Sequence, residues 1–154
     1  MQNEIKKIDN FKGEYHFLSN FYESPVIYDG IVYRNNEAAF QAQKSLSIEK
    51  RKEFSQLSPN EAKRLGRRIF LRRDWERVKD GIMLEIVRAK FNQNPTLTKA
   101  LIDTKDFYLE EGNNWGDRIW GTVNGEGENR LGKILMKVRD ELIDKNKAIS
   151  NNIN

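Results

Sequence analysis

The sequence predicts an α+β fold, rich in helix, with a small β-sheet. Three observations carry that expectation. Two apolar triplets, Val26-Ile27-Tyr28 and Ile31-Val32-Tyr33, flank Asp29-Gly30, the pattern of a hairpin whose two turn residues both need positive φ. Apolar residues then recur at helical spacing, punctuated by capping residues and by Pro59 and Pro95. Eight Phe, five Tyr and three Trp in 154 residues are enough large side chains to anchor one core.

Each element has a local reason. Residues 1–10 read as an N-terminal extension, 11–143 as the domain and 144–154 as a polar, frayed tail. The hairpin occupies residues 26–33. Asn35 or Asn36 can cap a helix through Glu37 to about residue 46, and a polar helix follows over 47–57. Ser58-Pro59 with Glu61 forms a capping-box pattern that starts a helix to about residue 70. Asp74 precedes a long central helix over about 75–91, with Val78, Ile82, Leu84, Ile86, Val87 and Phe91 as its apolar stripe. Asn94-Pro95 opens a short helix to about residue 104, and Phe107-Tyr108-Leu109 reads as a short strand. Residues 113–128 form a glycine-rich loop. The last helix runs over about 128–143, with Leu131, Ile134, Leu135, Val138 and Leu142 inward.

Composition excludes several chemistries. Lys plus Arg number 27 and Asp plus Glu 23, a net charge of +4. The chain has no Cys, so it has no thiol nucleophile, disulfide, zinc ribbon or iron–sulfur cluster. With His16 as its one histidine, a multi-histidine metal site cannot form within one chain. Proton chemistry therefore falls to carboxylates and lysines, and no metal or cofactor is expected. No apolar run exceeds three residues, against the about 20 a spanning helix needs, and no signal-peptide stretch opens the sequence. A cytoplasmic chain without membrane contact is the expectation.

Four segments could carry chemistry. In Glu37-Ala38-Ala39-Phe40-Gln41-Ala42-Gln43-Lys44, helical spacing puts Glu37, Gln41 and Lys44 on one face. That stripe is either a site or an exposed ion pair. Trp115-Gly116-Asp117-Arg118-Ile119-Trp120-Gly121, followed by Asn129-Arg130-Leu131-Gly132, is either a phosphate-approaching loop or a loop pinned by its tryptophans. Lys63, Arg64, Arg67, Arg68, Arg72 and Arg73 form a basic run, read as a solvated helix face or a nucleic-acid surface. Leu18-Ser19-Asn20-Phe21-Tyr22 could grip a base and sugar, or close a turn beside the core.

Taken together these segments resemble the NADAR (YbiA-like) family. The matching residues are Leu18 to Tyr22, Asp29-Gly30, Glu37-x-x-Phe40-Gln41-x-x-Lys44, Gly66-Arg67, Asp74-Trp75, Lys90-Phe91 and Asp117-x-x-Trp120-Gly121. Gly127-x-Asn129-x-Leu131-Gly132-x-x-Leu135-Met136-x-x-Arg139 completes the series, in family order over about residues 11–142. Two positions depart from it. Ala38 stands where the family often has His, and Thr122-Val123 where it often has Asp-Gly.

The resemblance implies a hydrolase of N-glycosyl bonds. One branch cleaves ribosylamino-pyrimidine 5′-phosphates, which are riboflavin intermediates, and releases ribose 5-phosphate. Another removes ADP-ribose from guanine bases of nucleic acid. The partner is then a phosphorylated ribosyl-base small molecule or, in the second branch, ADP-ribosylated nucleic acid. A non-catalytic module that binds ADP-ribose is the rival, against which the intact Glu37 and Lys44 argue. By the same resemblance Glu37 moves a proton, Lys44 attacks C1 and Asp117 orients ribose hydroxyls. Substrate contacts fall to Ser19, Asn20, Phe21, Phe40, Gln41, Arg67, Trp75, Trp120, Gly121, Asn129, Leu131 and Gly132. Lys44 must be neutral to attack. Burial lowers a lysine pKa and a nearby Glu raises it, so the two effects compete.

Overall fold

In a computed structural model, which describes residues 6–153, eleven segments of regular structure follow one another. Strand β1 is Lys7–Ile8, followed by a 3-10 helix at Gly13–Leu18. Strands β2 (Glu23–Tyr28) and β3 (Ile31–Asn35) precede helices α1 (Asn36–Ala42), α2 (Ile48–Glu53), α3 (Pro59–Gly66), α4 (Trp75–Gln93) and α5 (Pro95–Ile102). Strand β4 (Tyr108–Leu109) and helix α6 (Arg130–Ile153) complete the described chain. The α+β class and the dominance of helix are as expected. Among the described residues, no helix is long and apolar enough to cross a membrane. Two units emerge, Asn20–Gln93 and the chain on either side of it.

In Asn20–Gln93, β2 and β3 pair antiparallel through Val26–Tyr33, Ile27–Val32 and Tyr28–Ile31. Asp29 (φ 49°) and Gly30 (φ 81°) make the left-handed turn that the sequence calls for. Val26 and Tyr33 are fully buried, whereas Ile27 and Val32 face outward, the alternation of a sheet wet on one side. The pairing shifts between Glu23 and Val26, where Pro25 has no N–H to give a ladder. Helix α4 packs on β2 and α1, and α1 packs on α3. On α4 the buried face is Trp75, Met83, Ile86, Val87, Lys90 and Phe91, so Val78, Ile82 and Leu84 are less enclosed than the periodicity predicts. Lys90 is wholly buried 5.5 Å from the Tyr22 ring centre, and burial pushes its pKa down to about 7.

Three helices end earlier than their patterns suggest. Helix α1 stops at Ala42 because Gln43, Lys44 and Ser45 turn back with i→i−3 bonds to Phe40, Gln41 and Ala42. Helix α2 ends at Glu53, where the buried Phe54 takes the cap position. Helix α3 has its capping box, Ser58 N–H to Glu61 Oε1 (3.0 Å) and Glu61 N–H to Ser58 Oγ (3.3 Å). It ends at Gly66, and the Arg72 N–H beyond it donates to the Lys44 carbonyl at 2.8 Å.

In the other unit, β1 and β4 pair in parallel, Lys7 with Tyr108 and Ile8 with Leu109. Two residues of the expected extension over 1–10 thus form a strand, with Ile8 in the core and Lys7 reaching Glu110 at 3.3 Å. Residues 1–5 of that extension lie outside the described residues. Helix α6 buries Leu131, Leu135, Val138 and Leu142, as expected, and its Arg139 Nη1 donates to Thr104 Oγ1 (3.0 Å) and the Phe107 carbonyl (2.8 Å). The expected frayed tail is instead helical to Ile153. Ile143, Asn146, Lys147, Ser150 and Asn151 line a shallow groove with Ile102, so α6 continues beside α5 with little burial. The tail's last residue, Asn154, is outside the described residues.

Candidate active site

Asn35 starts the helix that carries the site. Its Oδ1 accepts the Ala38 N–H at 2.8 Å, and its Nδ2 donates to the Leu57 carbonyl at 3.1 Å. With the cap fixed, every residue of α1 is buried, because Ala38, Ala39 and Ala42 let neighbouring segments close over the helix. Glu37 enters a nearly dry environment in the first turn, where a helix favours negative charge. Its own N–H donates to the Asn20 carbonyl at 3.1 Å. One turn on, Gln41 Nε2 donates to Glu37 Oε1 at 2.8 Å. This is the shared face that helical spacing places on α1, with both side chains buried rather than solvated.

Lys44 lies just past the helix, in the tightened turn, with its carbonyl held by Arg72. The competition over its protonation resolves downward. Burial is the largest influence and lowers the pKa, the Glu37 carboxylate raises it, and Arg67 and Lys79 lower it further. A lysine depressed in this way holds more neutral amine at physiological pH than a solvated one does. Lys79 has no place among the residues expected from sequence. Its side chain is 12% exposed, with Nζ 2.6 Å from Glu76. The available signal was its position four residues after Trp75, one turn along the same helix face.

Several other expected residues gather in this unit. Asn20 is buried, with Nδ2 3.4 Å from Met83 Sδ. Phe40 and Trp75 are both buried, with ring centres 5.0 Å apart and planes tilted by 52°. Trp75 is thus a packing partner of Phe40 more than an open stacking face. Phe21 is half-buried, with Lys63 Nζ 5.9 Å from its ring centre. The basic run does not form one solvated face. Lys63 turns to Phe21, Arg67 adds to the field at Lys44, and Arg72 grips Asp74 through Nε (2.6 Å) and Nη2 (3.0 Å).

The remaining expected residues belong to the other unit, where most hold the loop in shape. Asp117 Oδ1 accepts the N–H groups of Ile119 (3.0 Å) and Trp120 (2.9 Å). Asn113 Oδ1 accepts the Asp117 N–H (3.0 Å), and its Nδ2 donates to the Asp117 carbonyl (2.8 Å). Asn129, buried at φ 50°, accepts from the Glu111 N–H (2.9 Å) and donates to the Leu109 carbonyl (2.9 Å) and Tyr108 Oη (3.3 Å). Leu131 is core. A Cβ on Gly121 would stand 2.1 Å from the Glu111 carbonyl oxygen, and one on Gly132 2.1 Å from that of Leu109. Both glycines therefore permit close backbone approach. Trp120 and Ser19 are half-buried. Asn124 (φ 53°) and Gly125 (φ 80°) turn the chain between the bridged Val123 and Glu126, an Asn-Gly turn whose signal is local to the sequence. Among the described residues, no three His, Cys, Asp or Glu side chains converge as metal ligands would.

The NADAR domain family matches residues 8–143. The N-glycosidase YbiA of Shigella flexneri serotype 5b is 38% identical over 146 residues, covering 92% of this chain and 91% of that protein. A riboflavin biosynthesis protein of Vibrio vulnificus is 37% identical over 130 residues, which are 82% of this chain and 35% of that longer protein. The NMR structure of the E. coli protein YbiA superposes with a TM-score of 0.81 at 37% identity, covering 95% of this chain and 89% of that one. The chain belongs to the NADAR domain family. It is a hydrolase acting on N-glycosyl bonds, the activity in its relatives' names.

Proposed function

We propose that this NADAR-family hydrolase cleaves the C1–N bond of ribosylamino-pyrimidine 5′-phosphates and releases ribose 5-phosphate. The observation that carries the reading is Lys44, its pKa lowered chiefly by burial and its charge coupled to Glu37 and Arg67. Relatives named for riboflavin biosynthesis support the substrate class. In the proposed reaction the neutral Lys44 Nζ bonds to C1 while the C1–N bond breaks. Glu37 delivers the proton that the departing nitrogen needs. As the ribose ring opens, the amine proton passes to the ring oxygen and a Schiff base remains at C1. Water then adds to C1 and gives a proton back to Glu37, the hydroxyl proton passes to Nζ as the C1–Nζ bond breaks, and Lys44 is regenerated as a neutral amine beside a free sugar aldehyde. Arg67, exposed at the end of α3 yet close enough to influence Lys44, is the proposed phosphate ligand.

The test is incubation with ribosylamino-pyrimidine 5′-phosphate and, in parallel, with ADP-ribosylated guanine, with released base as the readout. Borohydride during turnover should reduce the Schiff base and leave a sugar adduct on Lys44. Lys44→Arg should abolish both trapping and turnover while leaving binding nearly intact, because guanidinium stays protonated. Since the amine must be neutral and Glu37 must carry the proton it delivers, kcat/KM should pass through a maximum with pH, its lysine limb displaced below the ordinary lysine range, the direction in which burial moves Lys44. Release from ADP-ribosylated guanine alone would overturn the substrate, and full turnover in Lys44→Arg would overturn the covalent step.

A further inference from the structure

Gly66 ends α3 in ordinary helical backbone, buried against α1. A Cβ built on it would lie 2.0 Å from Gln41 Oε1, 2.8 Å from Gln41 Cδ and 3.3 Å from Gln41 Cβ. All three atoms belong to the side chain that donates to Glu37. The Gln41 amide is thus confined between a carboxylate at one end and a missing side chain at the other. Its orientation is fixed, because only Nε2 can donate to Glu37 Oε1. Gln41 Oε1 is left buried over Gly66, with no hydrogen-bond partner among the described residues. A buried acceptor without a donor costs about 1–3 kcal/mol, so the amide gains by rotating away if anything crowds it, and the bond to Glu37 breaks when it does.

We propose that Gly66 is a positioning residue for Glu37, acting through Gln41: the volume left by its absent side chain holds the Gln41 amide where it aims the Glu37 carboxylate. Helix α3, which contributes no proton-transfer group, thereby sets the geometry of the acid on α1. Gln41 likewise serves Glu37 and not the substrate. The inference rests on Glu37 moving a proton in the proposed reaction.

The experiment compares Gly66→Ala, Gln41→Ala, the double variant and Glu37→Gln by kcat, KM, pH profile and thermal unfolding. Gly66→Ala should fold. The two nearest atoms in the methyl's way, Gln41 Oε1 and Cδ, form the end of a flexible side chain, Gln41 Cβ need yield only a few tenths of an ångström, and Ala favours helix over Gly by about 1 kcal/mol. Its kcat should fall by about 10- to 10²-fold, the cost of a misplaced reacting group, with KM nearly unchanged. The pH limb governed by Glu37 should move to higher pH, because the carboxylate loses a donated N–H. Gln41→Ala should do the same, and adding Gly66→Ala to it should cost nothing more, since the two act as one unit. Wild-type turnover in Gly66→Ala, a fall in rate with the pH limb unmoved, or losses that multiply in the double variant would each overturn the role, leaving Gly66 as plain helix packing. Those outcomes beside an inactive Glu37→Gln refute the positioning alone. Full activity in Glu37→Gln refutes the role of Glu37 itself, and this inference with it.

Discussion

Helix α1 with its exit turn and the loop over residues 111–132 both carry several polar side chains, yet the residues at their centres use them differently. In the loop, Asn113, Asp117 and Asn129 are engaged with backbone N–H and carbonyl groups of their own segment and of the adjoining β4. They replace the ladder bonds that an irregular segment lacks. On α1 the backbone is served by its own ladder, the Asn35 cap, the Asn20 carbonyl and the Gln43 amide, which leaves Glu37, Gln41 and the adjoining Lys44 to interact side chain to side chain and through charge. A helix leaves its side chains available for chemistry, whereas an ordered loop draws on them to stay ordered. Residue type alone therefore does not separate a site from a scaffold. What separates them is whether the polar atoms remain available after the backbone has been served.

The largest effect tests the first half of that contrast. Glu37→Gln keeps size and hydrogen-bonding capacity but cannot transfer a proton. Turnover should fall by about 10²- to 10⁴-fold, with the unfolding midpoint close to wild type. A large loss of stability with modest loss of rate would make Glu37 a scaffold residue like Asn129 and erase the distinction. The second half is tested by Asn129→Ala, which strands the Glu111 N–H and the Leu109 carbonyl inside the unit. Stability should drop by about 2–4 kcal/mol in chemical denaturation, and the protein that remains folded should turn over near the wild-type rate. The reverse pattern, with kcat/KM collapsing at unchanged stability, would return Asn129 to the substrate contacts.

The same contrast explains what the sequence could reveal. The Asp29-Gly30 turn, the Asn35 cap and the Ser58–Glu61 capping box rest on residues within a few positions of each other, so local chemistry dictates them. The Glu37–Gln41 bond is equally local, one helical turn apart. Features that depend on distant partners were not legible. Strand β1 exists because Tyr108 and Leu109 wait for it about a hundred residues on. Gly66 looks like any helix-ending glycine until Gln41 is placed over it. Lys90 gives no hint of full burial, since a lysine at that spacing reads as an exposed position on an otherwise apolar face. The extent of α6 fails for another reason. Helical periodicity locates burial, and the residues after Ile143 continue the helix while most of them stay exposed.

The smallest effect sharpens the comparison within one residue type. Asn36 and Asn129 are almost equally buried. Asn129 places three hydrogen bonds, whereas Asn36 Nδ2 and Oδ1 have no hydrogen-bond partner among the described residues. An enclosed amide without partners costs about 1–3 kcal/mol relative to exposure, and Asn is also the weaker helix former. Asn36→Leu keeps the γ-branched outline, removes the polar atoms and leaves the Asn35 cap in place. Stability should rise by about 1 kcal/mol, less than the full cost because the leucine methyls will not fit the amide's space perfectly. Urea unfolding gives that number, and kinetics on the same sample gives the other half. A gain in stability with unchanged kcat and KM makes Asn36 an unsatisfied core residue. A rise in KM, with or without the gain, would put its amide against the substrate and extend the reactive stripe of α1 by one residue beyond Glu37.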